Sequence, residues 1–172
     1  TRASIDTNYL LGADPEWSDI LSGRAARRNS DEHVLAAVRD LLSGTSAAAL
    51  VLSGTAGSGK STALMQVAWS LVGEGHSVYW LDGESDFSIS AIRRRLTAEN
   101  TGFILAVDNA DSLDRASISS LASFVSNQES ALLLIAAGST KVDLVLERLN
   151  TNSVPSVREF PIPALSDDDI DG

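Results

Sequence analysis

Cysteine is absent from the 172 residues, and lysine occurs only twice, at Lys60 and Lys141. The first absence excludes disulfides, thiolate metal sites and thiol nucleophiles. The second leaves arginine to carry most of the positive charge against 23 acidic residues, for a formal net charge of −10. Such a field repels polyanions, so direct nucleic-acid binding by this segment is disfavoured. No apolar run approaches the ~20 residues that span a bilayer, and the start carries no secretory signal pattern. These features predict a soluble, cytoplasmic protein without membrane partners. His33 and His76 stand apart from any metal-ligand company, and no Ser-His-Asp or zinc pattern occurs. Trp17, Trp69 and Trp80 read as packing groups. The length suits one domain that buries roughly 70% of its unfolded surface.

What is present is an alternation of helical and strand patterns. An arm from Thr1 to about Asn29 lacks a sustained period but carries Tyr9, Leu10, Leu11, Trp17, Ile20 and Leu21, enough apolar surface to pack on a core. Ser30, Asp31 and Glu32 read as a helix start, with Val34, Leu35, Val38, Leu41 and Leu42 on one face until Gly44. Strands are predicted at Ala49–Leu52, Ser77–Leu81, Phe103–Val107, Ala131–Ala136 and Val157–Ile162, the last broken by Pro161 and so placed at an edge. Helices are predicted through Leu64–Val72, Ser88–Glu99, Ser117–Gln128 and Val142–Leu149. Arg93, Arg94 and Arg95 fall mostly off the apolar face of the second of these and read as solvated. Strand–helix alternation argues for a parallel sheet covered on both faces.

Between the first strand and its helix lies GTAGSGKS, Gly54–Ser61. Glycines at 54, 57 and 59 allow the backbone to curl so that successive N–H groups face a phosphate, aided by the positive end of the helix. Gly54, Thr55, Ala56, Gly57, Ser58, Gly59, Lys60, Ser61 and Thr62 are therefore the candidate nucleotide-binding residues. Lys60 reaches the β and γ phosphates, and the Ser61 hydroxyl helps hold Mg2+. The alternative is a glycine-rich turn that binds nothing.

Phe103–Val107 runs unbroken into Asp108, so its carboxylate emerges at the strand's C-terminal end, beside the P-loop. Asp108 is the expected Walker B acid, gripping magnesium through water. Within FILAVDNAD, Asp111 is the candidate base for the attacking water, with a turn former as the bland alternative. Asn109 occupies the slot after the metal acid, where many ATPases place glutamate, and is the other candidate for orienting water. Gly138–Thr140 closes the fourth strand, making Ser139 and Thr140 sensor candidates.

With these residues in place, the chain resembles the AAA+ and STAND branch of P-loop ATPases, especially STAND modules of bacterial signalling and antiviral defence proteins and, more distantly, origin-recognition ATPases. GTAGSGKS and FILAVDNAD carry the resemblance, supported by GADPEW, AAGST and FPIPALSDDDI. It implies an α/β three-layer fold with a five-stranded parallel sheet, numbered along the chain and ordered 5-1-4-3-2. It also implies a purine nucleotide, ATP or else ADP or GTP, with Mg2+, its base near Arg27–Asp31. The implied organisation is an arm and helix over 1–46, an NTPase core over 47–163 and the start of a lid at 164–172, within a longer protein whose other domains are partners. STAND proteins often carry arginine at the fourth-strand sensor; this chain has Ser139, Thr140 and then Lys141. Arg148 and Arg158 lie where AAA+ proteins present an arginine finger, although a helix face or strand edge explains each more simply.

Three functions follow as alternatives. The first is a magnesium-dependent ATP switch with slow hydrolysis that controls self-association. The second is a motor or loader with brisk turnover, acting on nucleic acid or protein. The third is a nucleotide-free scaffold.

Overall fold

The computed structural model describes residues 10–11, 29–55, 59–84, 88–97 and 102–163. In chain order the elements are β1 (Leu10–Leu11), α1 (Asn29–Leu42), β2 (Ala48–Gly54), α2 (Lys60–Gly73), β3 (Val78–Asp82), α3 (Ile89–Thr97), β4 (Phe103–Asp108), a 3-10 turn (Ala110–Ser112), α4 (Arg115–Ser126), β5 (Ala131–Gly138), α5 (Val142–Thr151) and β6 (Ser156–Pro161). The strands form one parallel sheet in the order β1-β3-β4-β5-β2-β6. Its five main strands have the expected order. The difference is at the β3 edge, where Leu10 and Leu11 of the arm pair with Trp80 and Leu81. A two-residue strand has no periodicity to reveal it.

Both faces of the sheet are covered, which explains the unbroken apolar strands. In β4, Phe103, Leu105 and Val107 enter the layer shared with α3, α4 and α5, whereas Ile104 and Ala106 enter the layer beneath α1 and α2. Period-two alternation then turns Asp108 toward the α2 side. By the same parity Asp82 ends β3 on that side after Val78 and Trp80, and the two acids are register partners. Strand parity and register thus bring together groups far apart in sequence.

One local expectation needs correction and another gains detail. Arg93, Arg94 and Arg95 of α3 are exposed, as expected, and the guanidinium carbons of Arg93 and Arg95 each lie 5.9 Å from a ring centroid, over Phe124 and Tyr79 respectively. Their planar cations cover the aromatic margin of the core, where Phe103 stacks on Phe124 with centroids 5.9 Å apart. The helix expected from Ser117 begins two residues earlier at Arg115, because Asp114 is its N-cap and accepts from Ser117 N at 2.7 Å. The edge placement of the last strand matches the structure: among the described residues β6 pairs only with β2, and Pro161 is its final residue.

The hydrogen bonds from Ser117 hold the Asp114 carboxyl below the usual aspartate range, with a smaller contribution from the Lys141 charge. The folded state therefore binds this proton less readily than the unfolded chain. The cap's contribution to stability is complete above the ordinary aspartate range and is lost as pH falls through the lowered folded-state value. Asp114→Asn keeps an acceptor that does not titrate. Its melting temperature is expected to fall less than that of the wild type between about pH 7 and about pH 3, measured by circular dichroism. Equal losses would remove Asp114 from the acid sensitivity of the fold.

Candidate nucleotide site

The P-loop follows directly from β2. Gly54 ends that strand in register with Gly138 of β5, and Gly59 stands at φ 87°, ψ 22° immediately before α2. This left-handed residue aims the first turn of α2, whose leading N–H groups have no partner within the helix. Lys60 Nζ donates to the Thr55 carbonyl at 3.1 Å, so the ammonium arches back over the loop. Ala56, Gly57 and Ser58, the middle of the candidate cradle, lie outside the described residues. So do Arg27 and Arg28 of the expected base-binding segment, whose remaining residues open α1, as do 164–172.

Ser61 and Asp108, separated by 47 positions, meet directly: Ser61 Oγ donates to Asp108 Oδ1 at 2.8 Å. The same Oδ1 accepts from Asn109 N at 2.9 Å. Asp108 is 1% exposed, and burying a carboxylate so completely is tolerable only when it is hydrogen-bonded or bound to a cation. Hard oxygens from a hydroxyl and a carboxylate, next to a helix N-terminus, suit Mg2+.

A cavity of about 170 Å3 opens between these groups, lined in part by Lys60, Ser61, Glu84, Asp108, Asn109 and Asp111. A larger one, about 260 Å3, lies at the opposite strand ends among Leu41, His76, Phe103 and Leu132. The smaller cavity holds the ammonium, the hydroxyl and the three candidate acids and amides, Asp108, Asn109 and Asp111, so chemistry rather than volume selects it.

Asp111 is in the 3-10 turn, and its Oδ1 accepts from Gly138 N at 2.7 Å. The carboxylate therefore ties the post-β4 loop to the end of β5. Ser139 and Thr140 follow as an exposed turn, adjacent to Gly138 and hence beside the P-loop strand. Lys141 is half-buried before α5, near enough to Asp114 to lower its pKa.

The arginine candidates are not gathered here. The side chain of Arg148 is 17% exposed and reaches Glu147 at 2.7 Å and Thr151 at 3.5 Å. Arg158 is on β6 in register with Leu50, half-exposed and paired with Asp40 of α1.

A family model described as Novel STAND NTPase 5 matches residues 7–148. The chain belongs to this family. It is a nucleotide-binding NTPase domain of the STAND type. No curated protein sequence matches it. Solved structures similar to this STAND domain include the Aeropyrum pernix ORC1 protein in complex with DNA, at TM-score 0.66 and 12% identity, covering 91% of this chain and 51% of that one. Another is PCH-2 of C. elegans, at TM-score 0.58 and 16% identity, covering 89% and 48%. At those identities the likeness is one of fold, and the STAND domain spans about half the length of each neighbour. Among the described residues no helix is long and apolar enough to cross a membrane.

Sequence reasoning missed the turn Asp82-Gly83-Glu84. Asp82 Oδ1 accepts from Asn109 Nδ2 and from Glu84 N, both at 2.9 Å, and Gly83 N donates to the Asp108 carbonyl at 2.8 Å. A signal was available: VYWLD, like FILAVD, is an apolar strand closing on an acid. Only the strand pairing shows that the two ends touch.

Proposed function

We propose that this STAND domain is an ATP-binding, magnesium-dependent switch that hydrolyses slowly, and that its loaded state promotes self-association of a larger cytoplasmic signalling or defence protein. The observation that carries the reading is the 2.8 Å contact between Ser61 and Asp108, which supplies a hydroxyl and a carboxylate together at the P-loop helix. Lys60 and the first-turn amides of α2 bind the β and γ phosphates. Ser61 and Asp108 hold Mg2+, which when bound neutralises charge on the phosphate tail. The domain organisation that accompanies this reading is an arm and helix to residue 46, a core to 163 and a lid beginning at 164.

Asp111 serves as base for the attacking water and Asn109 orients it. Two features support slow turnover. The slot after the metal acid offers an amide, which cannot take a proton at neutral pH, and Asp111 spends one oxygen on Gly138. Ser139 and Thr140 are suited to donate to the γ-phosphate, with Lys141 as a charged alternative. Between the arginines, Arg158 keeps the greater exposure, 49% against 17% for the side chains, and is the better candidate to act on a neighbour.

The test is magnesium dependence. ATP affinity measured by titration calorimetry, with magnesium and with chelator, is expected to differ by about tenfold or more in the wild type, a gap of about 1.4 kcal/mol. In Asp108→Ala that gap closes. A variant that keeps the full magnesium effect would remove Asp108 from the metal site. For the switch itself, magnesium and ATP should increase the mass of the full-length protein in mass photometry more than ADP does. An unchanged mass distribution would end that part of the proposal.

A further inference from the structure

We infer that Asp82 is a positioning residue for hydrolysis, acting through Asn109; the inference rests on the nucleotide-hydrolysing reading above. Asp82 and Asp108 end adjacent parallel strands in register and on one face of the sheet, yet they take different partners. Asp108 meets Ser61, whereas Asp82 Oδ1 receives Asn109 Nδ2 at 2.9 Å. An ionised carboxylate only accepts hydrogen bonds, so it selects the NH2 end of the amide. Asn109 Oδ1, an acceptor, is then the end available to the cavity that Asn109 lines.

The backbone reinforces this choice. Asn109 stands at φ 53°, ψ 43° in the left-handed region, which Asn tolerates better than most residues. Gly83 N donates to the Asp108 carbonyl at 2.8 Å, and a Cβ on Gly83 would collide with the Asn109 carbonyl oxygen. Asp82 is itself held by Glu84 N at 2.9 Å. The turn after β3 thus brackets the two residues that follow Val107, and a single hydrogen bond sets which way the amide faces.

An acceptor fixed beside the γ-phosphate takes a hydrogen bond from water and directs its lone pair at phosphorus. The water oxygen forms the new bond to phosphorus while the bond to the β–γ bridging oxygen breaks. The proton goes to Asp111, and ADP and phosphate are the products. Asp82 touches none of the reacting atoms. Its contribution is orientation, so it acts on kcat rather than on affinity.

The experiment measures ATP hydrolysis and, separately, ATP affinity by fluorescent-nucleotide competition on the full chain with magnesium. Asp82→Ala is expected to lower kcat about 10- to 100-fold while Kd stays within about twofold, whereas the isosteric Asp82→Asn, whose amide oxygen can still accept from Asn109 Nδ2 and Glu84 N, should keep most of the turnover. Adding Asn109→Ala to Asp82→Ala should cost nothing further, because both remove one device. Wild-type kcat in Asp82→Ala, multiplying losses in the double variant, or a Kd that weakens in step with kcat would each overturn the inference while leaving the NTPase reading intact. A wild-type protein that binds ATP without hydrolysing it would remove both.

Discussion

Lys60→Ala is expected to lower ATP affinity by about 100-fold or more, a loss of about 2.7 kcal/mol. The size follows from the charge it removes. Lys60 supplies the ammonium that meets the phosphate tail, and hydrogen bonds between ionised partners are roughly twice as strong as neutral ones. Without nucleotide the same side chain makes one exposed contact, to the Thr55 carbonyl at 3.1 Å. Its loss costs the free protein little. The substitution therefore separates binding from folding. With magnesium and ATP at 100 times the wild-type Kd, the wild-type protein gains about 2.7 kcal/mol and melts about 5–10 °C higher. The variant starts from the same unliganded melting temperature and gains almost nothing. Equal ligand shifts in the two proteins would show that nucleotide binds elsewhere or that Lys60 does not reach it, and a lower unliganded melting temperature would assign Lys60 a structural role.

Much of this site is legible along the chain because its chemistry is local. GTAGSGKS needs only a strand before it and a helix after it, and both were marked by apolar spacing. Asp108 is legible for a related reason: an unbroken buried strand that ends in an acid puts that acid at the sheet's edge. The contact with Ser61 is not written in either segment. It depends on β5 inserting between β2 and β4 and on even positions of β4 facing α2, and the strand order was available only through resemblance. Asp82 shows the limit most clearly. Its strand was recognised, but ended at Leu81, and nothing in one sequence says that its neighbour across the sheet would be Asp108. Asp114 was a cap that spacing could have found, since Asp114 and Ser117 stand three apart as N-cap and N3 positions do. The pairing of Leu10 and Leu11 could not have been found that way.

Asp111→Asn is expected to slow hydrolysis strongly while leaving the fold nearly unchanged, and the contact with Gly138 is why the two effects can be parted. An amide oxygen still accepts from Gly138 N, so the tie across the 2.7 Å contact survives, whereas the proton acceptor is gone. A positioned general base contributes about 100- to 10,000-fold, and single-turnover hydrolysis should fall within that range with the melting temperature held. Gly138→Ala makes the complementary change. A Cβ there would overlap Asp111 Oδ2, and Gly138 is buried at the end of β5, so the carboxylate must be expelled from its tie. Crowding of this kind costs about 1–3 kcal/mol, or about 3–10 °C in melting temperature for a chain of this size, because neither the strand end nor the short 3-10 turn can yield freely. If Asp111 is the base, Asp111→Asn loses turnover at constant stability and Gly138→Ala loses stability first. If Asp111 is a structural tie alone, Asp111→Asn keeps wild-type turnover, Asp111→Ala melts early by stranding the buried Gly138 N–H, and the search for the base moves to Glu84 on the same cavity wall.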